Sequence, residues 1–133
     1  MLATLSIRNF VLIDNLDIDF SNGLCVLTGE TGAGKSILLD ALSLAIGARA
    51  DASQVRAGAG SANRANITAA FELPPGHSIL SRLTEQDIEQ PVEGDPLILR
   101  RTLTADGRSR AYINDQPVSV RTLRHVGEAL IEI

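Results

Sequence analysis

The feature that most constrains this chain is a glycine-rich run, Gly29-Glu30-Thr31-Gly32-Ala33-Gly34-Lys35-Ser36, which lies between two apolar stretches. The run matches the pattern G-x-x-x-x-G-K-[ST] at every fixed position. Glycines let the backbone wind around a phosphate group with its N–H groups pointing inward, and the N-terminus of the following helix adds partial positive charge. The sequence therefore predicts a P-loop that binds the phosphates of a nucleotide.

The last two residues of the P-loop have predicted roles in holding that nucleotide. The Lys35 ammonium is expected to reach the β- and γ-phosphates, and the Ser36 hydroxyl is expected to ligate the Mg²⁺ that bridges them. Backbone amides from Thr31 to Ile37 are expected to complete the cradle. Lys35 is the only lysine in a chain whose other basic residues are all arginine. A planar guanidinium cannot replace a compact ammonium among phosphate oxygens, so this exception supports a functional role.

The neighbouring sequence supplies the strand and the helix that a P-loop requires. Leu24-Cys25-Val26-Leu27 is apolar without alternation, as in a strand buried on both faces. From Gly34 to Ile46 the apolar residues recur at helical spacing, which predicts a mostly buried helix that ends at Gly47. A chance match to the pattern in an ordinary turn lacks this context, so phosphate binding is favoured.

The rest of the chain predicts an antiparallel β region with one further helix. Several segments alternate between apolar and polar residues, as half-exposed strands do, and Asp106-Gly107 is a hairpin turn signal. Ser119 is placed to cap a short helix. Residues 47–66 form a predicted loop, and a variable polar stretch extends to Pro96. The predicted strands cover residues 3–7, 16–20, 67–73, 97–104 and 108–113.

Composition limits the compartment and the partners. A chain of 133 residues with 44% hydrophobic content is long enough for one compact domain. Its net charge of -4 argues against a surface that is basic throughout, so any contact with nucleic acid is expected to be local. The single cysteine, Cys25, excludes an intrachain disulfide. No segment approaches the roughly 18 apolar residues of a membrane span, so we expect a cytoplasmic protein without a membrane partner.

A second site, which nucleotide hydrolysis needs, is not found in the sequence. Such a site requires an apolar strand that ends in acidic residues, which hold the Mg²⁺ shell and activate water. Val11-Leu12-Ile13-Asp14 is followed by Asn15 rather than by a second carboxylate. Leu130-Ile131-Glu132 continues into Ile133, as strand alternation does. The chain is therefore predicted to contain no catalytic residue of its own.

Four segments, spread along the chain between residues 5 and 114, carry a family resemblance: Leu5–Asp14, Leu27–Leu42, Gly47–Asp51 and Arg108–Asn114. In these segments the chain resembles the RecN family of bacterial DNA repair proteins. That family is similar to the structural-maintenance-of-chromosomes (SMC) proteins. Their ABC-type ATPase head is split between the two ends of the chain, which a long antiparallel coiled coil separates.

The resemblance implies an α/β fold, namely a P-loop NTPase lobe of an ABC-type head with a mixed sheet, the P-loop helix and an antiparallel β-subdomain. Residues 1–133 then form the N-terminal lobe of a split ATPase head, which binds ATP and Mg²⁺ but does not hydrolyse ATP efficiently alone. The implied partners are the C-terminal head lobe of the same protein, a second copy in a homodimer of engaged heads, and double-stranded or broken-end DNA. The implied role is double-strand-break repair and recombination at the nucleoid.

Three residues outside the P-loop are secondary candidates for the nucleotide site. Arg56 follows the P-loop helix at a place that resembles the head arginine contacting nucleotide phosphate in related ATPases, but it also fits a solvated loop arginine. Arg8 and Asn9 follow the first predicted strand, near the place where related heads approach the nucleotide. His77 and His125 have no companions at ligand spacing, so a metal site is not predicted from them.

Four arginines form a local basic cluster on the predicted hairpin: Arg100, Arg101, Arg108 and Arg110. Contact with DNA phosphates and a role as solvated sheet residues both remain open for them. Strand alternation places Arg100 and Arg101 on opposite faces, so the four cannot form one flat patch. Two further classes of function also remain open. One is a non-enzymatic DNA-binding module that uses this hairpin alone, and the other is a small-molecule kinase, whose acceptor site and lid are not found.

Overall fold

A computed structural model shows an antiparallel sheet with helices against one of its faces. The structure describes residues 2–10, 13–19, 32–51, 54–55, 64–73, 78–88, 91 and 95–131. The elements within these ranges are β1 (Leu2–Phe10), β2 (Ile13–Asp19), α1 (Gly32–Ala45), β3 (Arg64–Phe71), α2 (Ser78–Glu85), β4 (Leu97–Thr104), β5 (Ser109–Ile113), β6 (Gln116–Val118) and α3 (Val120–Ile131). The predicted strand Leu24–Leu27, with Cys25, lies outside the described residues.

The strands are arranged in one sheet in the order β2-β1-β3-β4-β5-β6. Every neighbouring pair in this order is antiparallel. The predicted hairpin between β4 and β5 is confirmed, and Gly107 in its turn has a φ of 91°. The next turn contains Asn114 and Asp115 with φ values of 49° and 64°. Both residue types tolerate this left-handed conformation, which returns the chain into β6.

Alternation along the strands divides the sheet into an apolar face and a polar face. In β4 the side chains of Leu97, Leu99 and Leu103 are at most 1% exposed and point toward the helices. Ala65, Ile67, Ala69 and Phe71 of β3 are also buried on this face. Burial of each large apolar side chain stabilises the fold by about 1.5–3 kcal/mol. Helix α1 packs on β3, β4 and β1, and α3 packs on β5 and α2.

Helix α1 ends as the sequence predicts, but one of its leucines is exposed. Gly47 has a φ of 105°, and the Ala48 N–H donates to the Ser43 carbonyl at 2.9 Å, which is the pattern of a glycine C-cap. The apolar positions that the sequence marked are buried or half-buried, as predicted, whereas Leu39 is 62% exposed. The apolar positions extend around more of the helix than the sheet covers.

Two elements differ from the sequence prediction. Residues 78–85 form α2, whose buried Ile79 and Leu83 lie one turn apart, with the half-buried Leu80 beside them. The sequence predicts only a variable polar stretch here, because three apolar positions in one short segment are a weak periodic signal. At the other end, Leu130 belongs to α3 and not to a strand. The Ser119 cap is confirmed, since its Oγ accepts from the Thr122 N–H at 3.0 Å.

Candidate functional site

The second half of the P-loop run forms the N-terminal end of α1. This helix begins at Gly32 and therefore contains Lys35 and Ser36 in its first turns. The first four N–H groups of an α-helix have no partner within the helix, and they carry the positive end of the helix dipole. The first turn contains no acidic residue that would repel an anion. This end of α1 thus fits phosphate oxygens, whereas Gly29, Glu30 and Thr31 lie outside the described residues.

The chain returns toward the end of β1 just before Arg56. Val55 forms an isolated antiparallel bridge with Phe10, the last residue of β1, and both side chains are buried. Arg56 itself lies outside the described residues, so its assignment to the nucleotide site stays a prediction.

Arg8 and Asn9 lie within β1 and not after the first strand, which corrects the sequence expectation. The Arg8 guanidinium donates to both carboxylate oxygens of Asp17, at 2.9 and 3.2 Å. These hydrogen bonds, followed by one from Ser6, hold the pKa of Asp17 below its usual value. Asn9 has a φ of 54°, which shifts the alternation so that Phe10 enters the core. The Arg8 guanidinium is therefore bound to Asp17 of the neighbouring strand β2.

The described residues contain neither a metal-binding cluster nor a membrane-spanning helix. Within the part of the chain that the structure describes, no group of three or more His, Cys, Asp or Glu side chains is arranged to hold a metal ion. His125 is exposed on α3, and His77 lies outside that part. No described helix has both the length and the apolar character needed to cross a membrane.

The polar face of the sheet carries a cluster of arginines from three segments. Arg64 lies on β3, Arg100 on β4 and Arg110 on β5, and Arg108 lies just before β5. With neighbouring polar residues they line an open depression of about 290 Å³. We call this surface the basic sheet face; its lining residues are Arg64, Asn66, Arg100, Thr102, Thr104, Asp106, Arg108, Arg110 and Tyr112.

The cations of the basic sheet face are only weakly paired with acids. The half-buried Arg100 lies 3.7 Å from the exposed Asp115, and the exposed Arg108 lies 3.4 Å from the exposed Asp106; pairs this open to solvent contribute little. The Arg100 guanidinium also lies over the Tyr112 ring, 4.3 Å from its centre. Arg100 Nε and Asn66 Oδ1 are buried atoms without a hydrogen-bond partner among the described residues. Because these two atoms are buried, the charge that the face offers a ligand comes from its exposed and half-buried guanidinium groups.

Asp106 helps to shape the edge of this face. A hydrogen bond from the Thr104 hydroxyl, and then one from the Arg108 backbone N–H, hold the pKa of the Asp106 carboxyl below its usual value. The Thr104 Oγ1 also accepts from the Arg108 N–H at 3.1 Å. The β4–β5 turn is thereby closed by side chains as well as by its backbone.

Arg101 points to the opposite side of the sheet, so the prediction that Arg100 and Arg101 lie on opposite faces is confirmed. Its side chain is only 2% exposed, and the reading of Arg101 as a solvated sheet arginine is therefore wrong. The signal was present in the sequence, because Leu97, Leu99 and Leu103 share its strand phase. Arg64 was also missed as a member of the basic sheet face, since the sequence did not mark it as the start of β3.

The fold and the P-loop run at the start of α1 place the chain in the class of P-loop proteins of mixed α/β architecture. The AAA domain family matches residues 4–118, and the chain belongs to this family. Its relatives include the DNA repair protein RecN of Haemophilus influenzae, which is 44% identical over 133 residues, or 100% of this chain and 23% of the relative. RecN of Vibrio cholerae is 45% identical over the same shares of the two chains. The resemblance to the RecN family is thus confirmed, and the chain spans less than a quarter of these relatives.

Solved structures support the fold assignment. A chain from a study of ATP-driven dimerization and DNA-stimulated activation of SMC ATPases superimposes with a TM-score of 0.71 and 22% identity. The match covers 98% of this chain and 79% of that chain. At this identity the similarity concerns the fold. The predicted ABC-type head-lobe fold is confirmed, and the sheet pairs described above are its antiparallel part.

Proposed function

We propose that this chain binds ATP and Mg²⁺ as the N-terminal lobe of an SMC-like ATPase head that acts in DNA repair. The observation that carries the proposal is the start of α1 at Gly32, inside the P-loop run. This start gives Lys35 and Ser36 the helix N-terminal positions that phosphate binding requires. In the proposed site, Lys35 neutralises the terminal phosphates, Ser36 ligates Mg²⁺, and backbone amides from Thr31 to Ile37 hold the phosphate oxygens.

Hydrolysis and assembly are proposed for the whole protein, since this chain corresponds to 23% of the RecN relatives. Acidic residues that activate water are expected from the C-terminal head lobe of the same protein, and a homodimer of engaged heads is expected to enclose the nucleotide. The proposed setting is double-strand-break repair and recombination in the cytoplasm, at the nucleoid. A small-molecule kinase is disfavoured by the match to the RecN relatives.

Lys35→Ala tests the nucleotide site. In the full-length protein that carries this chain, we expect the substitution to weaken MgATP binding by at least about 2 kcal/mol, or roughly thirtyfold, because hydrogen bonds to charged groups contribute about 1.5–3 kcal/mol. Isothermal titration calorimetry with MgATP measures the change directly. Removal of Mg²⁺ with a chelator is expected to weaken binding by the unaltered protein as well.

Arg82→Ala is a matched control, because it removes one positive charge from an exposed position on α2. It is expected to leave the dissociation constant for MgATP unchanged. Equal MgATP affinity in Lys35→Ala and the unaltered protein would reject the site assignment.

The basic sheet face supports a second part of the proposal, contact with the phosphate backbone of double-stranded DNA. Arg64, Arg100 and Arg110 project from the same face of adjacent strands, with Arg108 at its edge. Their spacing follows the sheet, with about 5 Å between strands and about 7 Å between alternate residues of a strand. Guanidinium groups bind phosphates in bidentate geometry, and the Thr102 hydroxyl of β4 adds a donor without sequence preference.

Replacement of Arg64, Arg100 and Arg110 by glutamine tests this surface. We expect weaker binding to a DNA duplex and a salt dependence whose log–log slope is smaller by roughly 3, because each lost phosphate contact changes the slope by about 0.9. Fluorescence anisotropy of a labelled duplex across a salt series gives both quantities. DNA binding without ATP that depends wholly on these residues would instead favour the non-enzymatic module, and an unchanged slope would remove this face from the DNA contact.

A further inference from the structure

Arg101 is the only charged side chain that is fully buried in the described part of the chain. Among the described residues, no carboxylate forms a salt bridge with Arg101. Burial lowers the pKa of Arg101, and the charge of Arg124 lowers it further. A buried cation without a counter-ion is costly to the fold. An apolar side chain at this position would pack on Leu99 and Leu103 without that cost, so packing alone does not account for Arg101.

The hydrogen bonds of Arg101 go to the C-terminal end of α1. Its Nη1 donates to the carbonyl of Leu44 at 3.1 Å and to that of Ala48 at 2.8 Å. Its Nε donates to the Ser109 hydroxyl of β5 at 2.6 Å. The last carbonyls of a helix have no partner within it and carry the negative end of its dipole, so a guanidinium is well suited to this position. Arg101 thus joins the end of α1 to the β4–β5 hairpin.

A second arginine holds the same end of α1 from the other side. Arg124 of α3 donates through Nε to the Gly47 carbonyl at 3.2 Å. The turn that follows α1 lies so close to α3 that an added Cβ on Gly47 would lie 2.5 Å from the Arg124 Cα, and one on Gly127 would lie 2.6 Å from the Ile46 carbonyl oxygen. The C-terminal end of α1 is therefore held by two guanidinium groups and by direct backbone contact.

The other end of the same helix carries the P-loop residues. Helix α1 has 14 residues, and at a rise of about 1.5 Å per residue it is about 20 Å long. A packed helix of this length moves as a unit, so a tilt at its C-terminal end displaces its N-terminal end. Phosphate binding depends on placement, and a shift of about 1 Å at a reacting group can change rates about a hundredfold.

We propose that Arg101 and Arg124 are positioning residues, which hold the C-terminal end of α1 and thereby orient its N-terminal end toward the nucleotide phosphates. They act through the carbonyls of Leu44, Gly47 and Ala48 and do not touch the nucleotide. This role rests on the proposed ATP site. It also connects the β4–β5 hairpin to that site. Arg100 and Arg101 are consecutive residues of β4, and Arg100 lies on the basic sheet face whereas Arg101 contacts the end of α1.

The test compares MgATP binding by variants of the full-length protein. Arg101→Met removes every hydrogen-bond donor of the side chain while keeping a similar side-chain volume. Arg101→Lys keeps the positive charge but loses the planar guanidinium group. Arg124→Ala is compared with Arg121→Ala, which removes an exposed arginine from the same helix. Calorimetry gives the dissociation constant for the folded fraction, which circular dichroism determines, and ³¹P NMR reports the shifts of the bound phosphates.

We expect Arg101→Met to weaken MgATP binding of folded molecules by about tenfold and to move the ³¹P shifts, because the phosphates meet a displaced helix end. Arg101→Lys is expected to recover part of the affinity. Arg124→Ala is expected to weaken binding about threefold, and Arg121→Ala to leave it unchanged. A purely structural role changes the folded fraction but neither the shifts nor the affinity of the molecules that remain folded.

Parental affinity and parental ³¹P shifts in both Arg101→Met and Arg124→Ala overturn the proposal. If Arg101→Met does not fold, the comparison of Arg124→Ala with Arg121→Ala decides, and equal affinities for that pair overturn it. Lys35→Ala separates this result from failure of the ATP site itself. If Lys35→Ala loses affinity while the positioning variants keep it, only the positioning role fails. If Lys35→Ala also keeps it, the ATP site fails.

Discussion

Gly47→Ala is expected to lower the free energy of unfolding by about 4 kcal/mol, because two independent effects act at this position. The residue has a φ of 105°, where an L side chain is strained by about 1–2 kcal/mol. Its new Cβ would also lie 2.5 Å from the Arg124 Cα and 2.6 Å from the Arg124 N. These are backbone atoms that cannot rotate away, so α1 and α3 must separate, and such overpacking costs about 1–3 kcal/mol. Urea denaturation followed by circular dichroism measures the loss.

Gly107→Ala is a matched control within the same chain. Gly107 has a similar φ of 91°, but nothing lies within 4 Å of the Cβ that alanine would add. Only the conformational strain applies, so we expect a loss of about 1–2 kcal/mol. The difference between the two variants isolates the helix contact. If both variants lose the same stability, the close approach of α1 and α3 is not present in solution.

Gly127→Val is expected to lower the free energy of unfolding by about 3 kcal/mol. The added Cβ would lie 2.6 Å from both the Cβ and the carbonyl oxygen of Ile46, and the two methyl groups of valine add further volume. Helix propensity acts in the other direction, since glycine is less favourable than valine in a helix by a few tenths of a kcal/mol. Steric overlap with Ile46, which directly follows α1, is the larger effect. The same denaturant titration measures the result.

Glu128→Val introduces the same residue at the next position of α3, where the native side chain is exposed. We expect a change of about 0.5 kcal/mol, which reflects helix propensity and surface effects alone. A Gly127→Val protein as stable as Glu128→Val would contradict the helix packing described above. Both Gly47 and Gly127 are thus required for the contact that holds the C-terminal end of α1.

Much of the secondary structure was predictable from local signals. The β4–β5 hairpin followed from Asp106-Gly107 between two alternating segments, and the end of α1 followed from Gly47. The start of α3 followed from Ser119. These signals depend on the backbone preferences of a few adjacent residues and act before any tertiary contact forms. Helix α2 lacked such a signal, because its amphipathic pattern contains only Ile79 and Leu83 as buried residues.

The contacts of the arginines could not be predicted from the local sequence. Alternation correctly separated Arg100 from Arg101, but it gave no partner for a guanidinium on the apolar face. That partner is the end of α1, which lies 53 and 57 residues away along the chain. The same limit applies to Arg64, which joins Arg100 and Arg110 only because β3 pairs with β4 and β4 with β5. Arg8 was placed near the nucleotide by analogy, whereas its guanidinium binds Asp17 of the neighbouring strand.

The P-loop pattern, the family resemblance and the alternating strands were determined by the sequence itself, because each depends on residue types at fixed short spacing. The division of the arginines into a basic sheet face and a buried helix anchor was decided only by the tertiary structure. Strand pairing and helix packing determine which groups distant in sequence come into contact. A guanidinium has five N–H donors, which can donate to phosphate oxygens or to helix carbonyls equally well. Arg101 binds helix carbonyls because those of Leu44 and Ala48 lie within hydrogen-bonding distance of its guanidinium.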